Sequence, residues 1–420
     1  MSALSIQVPF PVFQDRDGQP LDNGYVWLGT SSLNPQTNPV VAYYDSALTI
    51  VATQPLRTLN GFISRAGSPA QVYVDAVNFS ILVQDRQGTT VFSVPEGTGI
   101  SPNASGVVYD PVGTGAVATT VQAKLRERVS VLDFGASSSA SSTENLAAFK
   151  SAVAATATGG KLIIPVQSSF YSILTSGGLS TAIEINKRME IVFEGDVKAT
   201  FGTMQANPPY IFKVTADGVT FSGNGKIIGN GTIDDTNAGD ETTFPGLIYV
   251  TGDNFTMNGL TIDTPPKLGV LLYNSLNAKI TNCIFTGGVV TYSSGATAYF
   301  AIRSTGGGGH IIKGNQFIPD ASGGTTINAI FFGGLAGGSN GCIISNNVAK
   351  APHEKITYLY GDYNKVIGNY VDSAINTDSY RHHGSYNTIE NNISKDCKGG
   401  CQVFDGVGNS ITGNSFIGCL

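Results

Sequence analysis

"GDYNKVIGNYVDSAINTDSYRHHGSYNTIENNISKDCKGGCQVFDGVGNSITGNSF" runs from Gly361 to Phe416 and holds one phrase three times. Asn369, Asn392 and Asn414 each sit in a short alternating segment, "KVIGNYV", "TIENNI" and "SITGNSF", with gaps of 23 and 22 residues. A second register runs beside it, because Gly361, Gly384 and Gly406 stand three residues before Asn364, Asn387 and Asn409. Such segments read as strands, and a period of roughly 20–50 residues marks a repeat architecture. Upstream the phrase recurs around Asn224, Asn258, Asn282, Asn315 and Asn347, with successive gaps of 34, 24, 33, 32 and 22 up to Asn369. A base period of 22–24 with three gaps lengthened by about ten describes coils of a solenoid carrying inserted loops. Strands on neighbouring coils stack about 4.8 Å apart, so equivalent residues form ladders. Asparagines stacked at turns hydrogen-bond along the axis, and their expected role is structural.

The composition agrees with this reading. The chain has 420 residues, 52 of them glycine, and only 13% are charged, against roughly 25% in ordinary globular proteins. Few charges and many glycines fit an all-β protein with tight turns and fit a helical bundle poorly. The net charge of −6 gives no basic footprint for a nucleic acid. No apolar run approaches the ~18 residues of a membrane span, and "MSALSIQVPFP" lacks the features of a signal peptide. The five cysteines, Cys283, Cys342, Cys397, Cys401 and Cys419, are an odd set without a secretory signal, so buried free thiols are expected. Cys397 and Cys401 have no second pair to complete a zinc site, although His382 and His383 lie upstream. No metal or cofactor is expected.

The first hundred residues read differently. "GYVWLG" (24–29), "VVAYYD" (40–45), "AQVYVD" (70–75) and "FSILVQD" (79–85) are short strands separated by Asp-Gly, Asn-Gly and Asn-Pro turns. They predict a compact antiparallel domain. The order of Pro11-Val12-Phe13, "NGYVWLG", "NPQTNPVVAYYD", "TQPLRTLNGFI" and "FSILVQDRQG" resembles the head-binding domain of short-tailed phage tailspikes. That resemblance implies a trimer and attachment to the virion through the phage's tail or head–tail connector proteins.

A joint follows. After the glycine-rich linker Gly106 to Gly115, Val117, Val121 and Leu125 lie four apart on one side of a short helix of about ten residues. Such a helix is marginal alone and becomes stable if three copies pack as a neck. "VSVLDFGA" then reads as a strand, and "STENLAAFKSAVAATATGG" as a helix. Ser141 and Glu144 have capping-box spacing, Leu146, Phe149 and Val153 form its buried stripe, and Gly159-Gly160 stop it before the strand "KLIIP". This series resembles the start of the pectate-lyase-like right-handed β-helix of phage tailspikes and tail fibres. One departure is the serine tract from Ser137 to Ser142 where that family carries a glycine- and aspartate-rich loop. The expected organisation is an antiparallel β domain for virion binding (1–108), a linker and trimeric neck (109–128), and a right-handed parallel β-helix (129–420) entered by a capping helix.

Function on a solenoid lies on outward ladders and inserted loops. Counted from the anchor asparagines, Asp263 and Asp320 fall five residues after, Asp396 four and Asp372 three, which puts Asp372 and Asp396 on neighbouring coils at nearly one angle. Carboxyls about 5–5.5 Å apart suit a retaining glycosidase, and about 6.5–9.5 Å an inverting one. Aligned on the Gly-x-x-Asn turns, "ITYLYG", "SYRHHG" and "CQVFDG" bring Tyr360, His383 and Asp405 into one line and Tyr358, Arg381 and Val403 into another. Such a strip suits sugar binding or a trimer interface, with Asp378 just upstream as an acid. The candidate catalytic carboxylates are therefore Asp372, Asp396, Asp378 and Asp405, and the candidate substrate-binding residues Tyr358, Tyr360, Arg381 and His383. A third cluster, Asp234, Asp235, Asp240 and Glu241, is a solvated loop or a metal or catalytic site. The single tryptophan, Trp27, lies in the first domain, which leaves sugar stacking to Tyr and Phe.

"NTDSY" and "RHHGS" resemble polygalacturonase stretches only faintly and lack the adjacent Asp pair, so no mechanism is carried over. A lyase would cast His383 as base and Arg381 as charge neutraliser. The resemblances together imply a homotrimeric phage tailspike or tail fibre on the virion, assembled in the host cytoplasm. Its partner would be a bacterial surface polysaccharide, O-antigen or capsule, without nucleic acid or membrane insertion. Three activities stay open: an endoglycosidase, a non-enzymatic receptor-binding fibre, and an adaptor carrying another spike. "NSFIGCL" follows the last anchor strand directly, so the reading anticipates a shortened chain or a covering partner.

Overall fold

In the computed structural model of the chain, the described residues are 12–76, 78–98, 104–105, 107–175, 182–201, 210–229, 245–287, 300–319, 328–333, 337–351, 355–374 and 378–419. Two compact units divide at Leu125/Arg126. Among the described residues no helix is long and apolar enough to cross a membrane.

The first unit holds a six-stranded antiparallel sheet built around Tyr25–Thr30, which pairs with Leu56–Leu59 on one side and Asn78–Gln84 on the other. A three-stranded sheet is centred on Ala42–Tyr43. Alternation turns Val26 and Leu28 inward with Phe13, Leu21, Leu56, Ile63 and Val83 into one buried cluster. The Gln54 side chain ties the loops to this core. Its Nε2 donates to the Leu28 and Val40 carbonyls (2.9 and 2.6 Å), and its Oε1 accepts from the Leu28 amide (2.6 Å). Farther on, helix α1 spans only Val121–Leu125, shorter than the ten residues anticipated, because Thr119–Thr120 pair as a strand with Val108–Tyr109. Val117 therefore precedes the helix, and Val117 and Leu125 are both exposed.

The second unit is a parallel β-helix of three sheets with 11, 10 and 9 strands. "VSVLDFGA" is strand only as far as Ser130. Val131–Phe134 instead forms a 3-10 turn, because Ser130 and Asp133 make a capping box and Gly135 closes it at φ 88°. Helix α2, Ser142–Ala155, has the anticipated capping box of Ser141 and Glu144. It buries Asn145, Ala148, Phe149, Ala152 and Val153, while Leu146 is only partly buried against the core. The helix ends before Gly159, where the Thr156 hydroxyl donates back to the Ala152 carbonyl (2.8 Å).

Two kinds of ladder hold the coils. In the earlier coils Phe193, Phe212, Phe221 and Phe255 pack edge to face or tilted, with ring centroids 5.3–5.6 Å apart. In the later coils a buried asparagine ladder closes the corner between the first and second sheets. The Nδ2 of Asn315, Asn347, Asn369 and Asn392 each donates to the Oδ1 one coil on, at 3.1, 2.9, 3.0 and 3.0 Å. Each Oδ1 also accepts the backbone amide of the preceding coil.

From residue 260 onward the residue before each ladder position is left-handed: Gly259, Asn282, Gly314, Asn346, Gly368, Asn391 and Gly413 all have φ between 55° and 80°. Asn282 thus supplies the turn, and the ladder place belongs to Cys283, aligned with Asn315 by the pairing of Ile284 with Gln316. Asn258 and Asn224 likewise fall short of the ladder place, which Leu260 and Gly225 occupy. Asparagine is suited both to the left-handed turn and to the ladder, so spacing alone cannot separate the two roles. A second ladder closes the corner between the third and first sheets. There the amides of Ala278, His310, Cys342, Asn364 and Asn387 donate in turn to the side chains of His310, Cys342, Asn364, Asn387 and Asn409. All five cysteines are free thiols, with Cys283, Cys342 and Cys397 buried. Burial pushes the Cys283 and Cys342 thiols up to about 11 and about 12.

Asn369→Ala would strand the Asn347 amide and Nδ2 and the Ile344 carbonyl, while the Asn392 Oδ1 loses one of its two donors and keeps the backbone amide of residue 369. We expect it to cost about 3 kcal/mol or more. Asn387→Ala, whose Oδ1 accepts only the Asn364 amide and whose Nδ2 has no partner among the described residues, should cost about half that. Urea unfolding of the two variants checks the ranking. A second expectation concerns acid. Burial pulls His310 down to about 4 and His382 to about 3, from about 6.5 in an unfolded chain. Both stay neutral in the fold while the unfolded chain takes up protons. Their contribution is therefore complete above about pH 6.5 and is lost as pH falls toward 4 and 3, by up to about 1.4 kcal/mol per pH unit for each imidazole. His310→Asn, which installs the side chain found at Asn364, should lower that slope by about half between pH 6 and 4 in urea titrations.

Candidate functional site

The third sheet carries side chains on both faces. Successive residues Leu247–Ile248, Ala301–Ile302 and Ala329–Ile330 all join the main core, so each strand is kinked near its start. That kink places residues three apart on the outward face together. Phe300 and Arg303 are such a pair, as are Lys355 and Tyr358, and Asp378 and Arg381. Strand pairing then builds two outward ladders. One runs Tyr249, Leu271, Arg303, Phe331, Tyr358, Arg381 and Gln402. The other runs through Tyr273 and Thr305 and includes Tyr360 and His383.

The sequence register holds for two coils and slips at the third. Tyr358 pairs with Arg381 and Tyr360 with His383, but Arg381 pairs with Gln402 and His382 with Val403. Phe404, not Asp405, therefore follows His383, and its ring stacks on the imidazole at 4.9 Å and 7°. The cause is one extra residue between the strand and the Gly406 turn, which defeats alignment on the glycines. Asp405 lies beside the line, where it accepts the Gly384 amide (3.0 Å) and approaches His383 Nδ1 (3.3 Å).

The result is a continuous aromatic and charged strip. Tyr360 stacks on His383 at 4.4 Å and 9°, Phe331 meets Tyr358 edge to face at 5.0 Å, and the Tyr358 and Tyr360 hydroxyls are 2.8 Å apart. Arg381 lies over Tyr358 and Phe404, with its guanidinium carbon 5.4 and 4.9 Å from the ring centres. Asp378, 3% exposed, receives Arg381 Nε and one terminal nitrogen at 3.1 and 2.8 Å, and this pairing raises the arginine further above its ordinary range. The same terminal nitrogen also donates to Gln402 Oε1 (3.3 Å), so the fork is fixed in the strip and the donors left for a ligand are those of its other terminal nitrogen. Burial, helped by the Tyr358 hydrogen bond, pushes the Tyr360 phenol up to about 12. Phe331, Phe404 and Gln402 belong to this strip and were not singled out from sequence; the strand pairing was the only signal for them.

The remaining carboxylates are arranged differently. Asp372 pairs across the coils with Lys395, and Asp396 lies one place on, opposite Ser373. Lys395 approaches Asp396 at 3.5 Å and is raised by Asp372 first and Asp396 second, so a cation stands between the two acids. Asp372 also accepts from the Ser373 and Tyr370 hydroxyls (2.9 and 3.3 Å). Asp263 accepts from the Thr286 hydroxyl (2.8 Å). Asp320 and the cluster Asp234, Asp235, Asp240 and Glu241 lie outside the described residues.

No family model matches the sequence, and no curated protein matches it. Solved structures similar to the chain include the tailspike protein of E. coli bacteriophage HK620 in complex with pentasaccharide, with TM-score 0.49 and 15% identity over 76% of this chain and 69% of that one. Another is the surface protein and adhesin PfbA of Streptococcus pneumoniae, with TM-score 0.49 and 12% identity over 69% of this chain and all of that one. At these identities side-chain roles do not transfer.

The Tyr360 phenol gives the strip an alkaline signature. Its folded value lies above the ordinary tyrosine value of about 10, so its contribution is complete below pH 10 and is lost as pH rises through about 12. Tyr360→Phe should remove one high-pH step from the tyrosinate absorbance titration and reduce alkaline destabilisation between pH 10 and 12.

Proposed function

We propose that the chain is a phage tailspike or tail fibre that binds bacterial surface polysaccharide along the outward face of its third sheet. The observation that carries this reading is the strip of Phe331, Tyr358, Tyr360, His383 and Phe404 with Arg381 held across it. Along the stack the ring faces cover one another, so the strip offers ring edges, phenol hydroxyls and a fixed guanidinium. Such convergent polar groups beside apolar edges suit the hydroxyls and C–H groups of a sugar. The site is partly exposed and extends over several coils, which suits a polymer.

Residues 1–108 are assigned to virion attachment on the motif order given above, and the chain is assigned to a homotrimer. Exposed Val117 and Leu125 supply apolar surface for such packing. Among the three activities, binding without cleavage is favoured. Asp378 is engaged by Arg381, and Lys395 stands between Asp372 and Asp396. A hydrolase would draw on Asp405, the exposed carboxylate beside His383.

The test is an array of purified O-antigen and capsular polysaccharides probed with the full chain, followed by assays for new reducing ends and for unsaturated-uronate absorbance. Binding without either product is expected, with Arg381→Ala weakening it about tenfold or more. New reducing ends abolished by Asp405→Asn would replace the binder with a glycosidase. No binding to any bacterial polysaccharide would remove the reading.

A further inference from the structure

The corner between the third and first sheets has a left-handed residue in each of eight coils: Gly218, Asn254, Asn277, Gly309, Gly341, Tyr363, Tyr386 and Gly408. Six are glycine or asparagine, the residues that tolerate this backbone. Tyr363 (φ 59°) and Tyr386 (φ 57°) are not, and a bulky side chain there is a genuine outlier. Neither ring is retained by burial, since Tyr363 is 60% and Tyr386 52% exposed. Tyr363 is the most exposed aromatic residue among those described. The two rings stack on each other at 5.2 Å and 8°, and Tyr386 lies over Gly408, where a Cβ would meet the ring at 2.6 Å. On the other side, a Cβ on Gly341 would meet no atom within 4 Å. The stack therefore has one covered end and one open end.

We propose that Tyr363 and Tyr386 form a second saccharide platform, on which the open face of Tyr363 takes a pyranose ring of the polysaccharide bound by the third-sheet strip. This rests on the reading of that strip as a polysaccharide site. Beyond the stack itself the strained backbone wins no burial, since both rings stay more than half exposed, and strain of this kind collects at functional sites. The position before each ring is polar, Asp362 and Ser385, with Asn340 one coil upstream. The apolar core of a protein–protein interface is therefore missing around the open face, whereas a sugar's hydroxyls find partners at its rim. Tyr363 follows Tyr360 by three residues, and Tyr386 follows His383 by three, so both aromatic features advance along the axis coil by coil. A glycan lying across this corner would engage both.

The experiment compares the full chain, Tyr360→Ala/Arg381→Ala, Tyr363→Asn/Tyr386→Asn and Tyr363→Phe/Tyr386→Phe on the same polysaccharide array, with melting temperature and mass by light scattering for each. Asparagine already occupies this corner at Asn254 and Asn277, so the double Asn variant should fold with an unchanged or raised melting temperature. It should bind about tenfold or more weakly, and the Phe variant should retain most of the binding. Unchanged binding by the Asn variant, with the Tyr360/Arg381 variant defective, overturns the platform and leaves the strip standing. A lowered melting temperature with unchanged binding makes the pair structural and overturns it, as does a change in mass, which would make another copy of the chain the occupant. A defect in the Asn variant alone puts sugar binding on the tyrosine pair, removes the strip, and so overturns the proposal that one glycan engages both. No polysaccharide bound by the wild-type chain overturns both.

Discussion

Everything in the β-helix depends on satisfying the backbone at its corners. A strand's amides and carbonyls pair with the coils on either side, but at a corner the chain turns away from that pairing. Buried groups left there would each cost about 1–3 kcal/mol. The later coils answer with a left-handed residue followed by an asparagine whose amide serves as both acceptor and donor along the axis. With the corners closed, the three sheets stay in register, and the outward side chains of the third sheet fall into line. The strip of Tyr360, His383 and Phe404 is a consequence of that register and owes nothing to local sequence.

The two halves of the solenoid meet this demand in different ways. Glycine, leucine and cysteine hold the first ladder's place at Gly225, Leu260 and Cys283, where phenylalanine packing dominates the interior. From Asn315 onward the asparagine amides take over. Apolar packing weakens on cooling, while a hydrogen-bonded ladder is less sensitive to temperature, so the halves draw on forces with different thermal behaviour.

The period of 22–24 residues was legible because it is imposed by geometry, and the capping box of Ser141 and Glu144 because it is local. Register was not. Asn282 looks like a ladder residue and is a turn residue, since one residue type suits both, whereas in "TIENNI" Asn392 does hold the ladder place. The slip at Asp405 arose from a single added residue that no motif announces. Asp372 and Asp396 seemed aligned because their distances from the anchors differ by only one. In a strand one residue is the difference between faces, and at the corner it put Lys395 opposite Asp372. Partners across coils lie more than twenty residues away, so an error of one survives any local inspection.

The asparagine ladder also has a direction. The amide of Asn347 is satisfied by Asn369, and the Ile344 carbonyl in that same coil receives Asn369 Nδ2, so the group that completes a corner arrives some two dozen residues later in the chain. Each coil's register is therefore tied to that of the coil after it: a coil displaced by one residue would present its successor with an amide that the next asparagine could not reach.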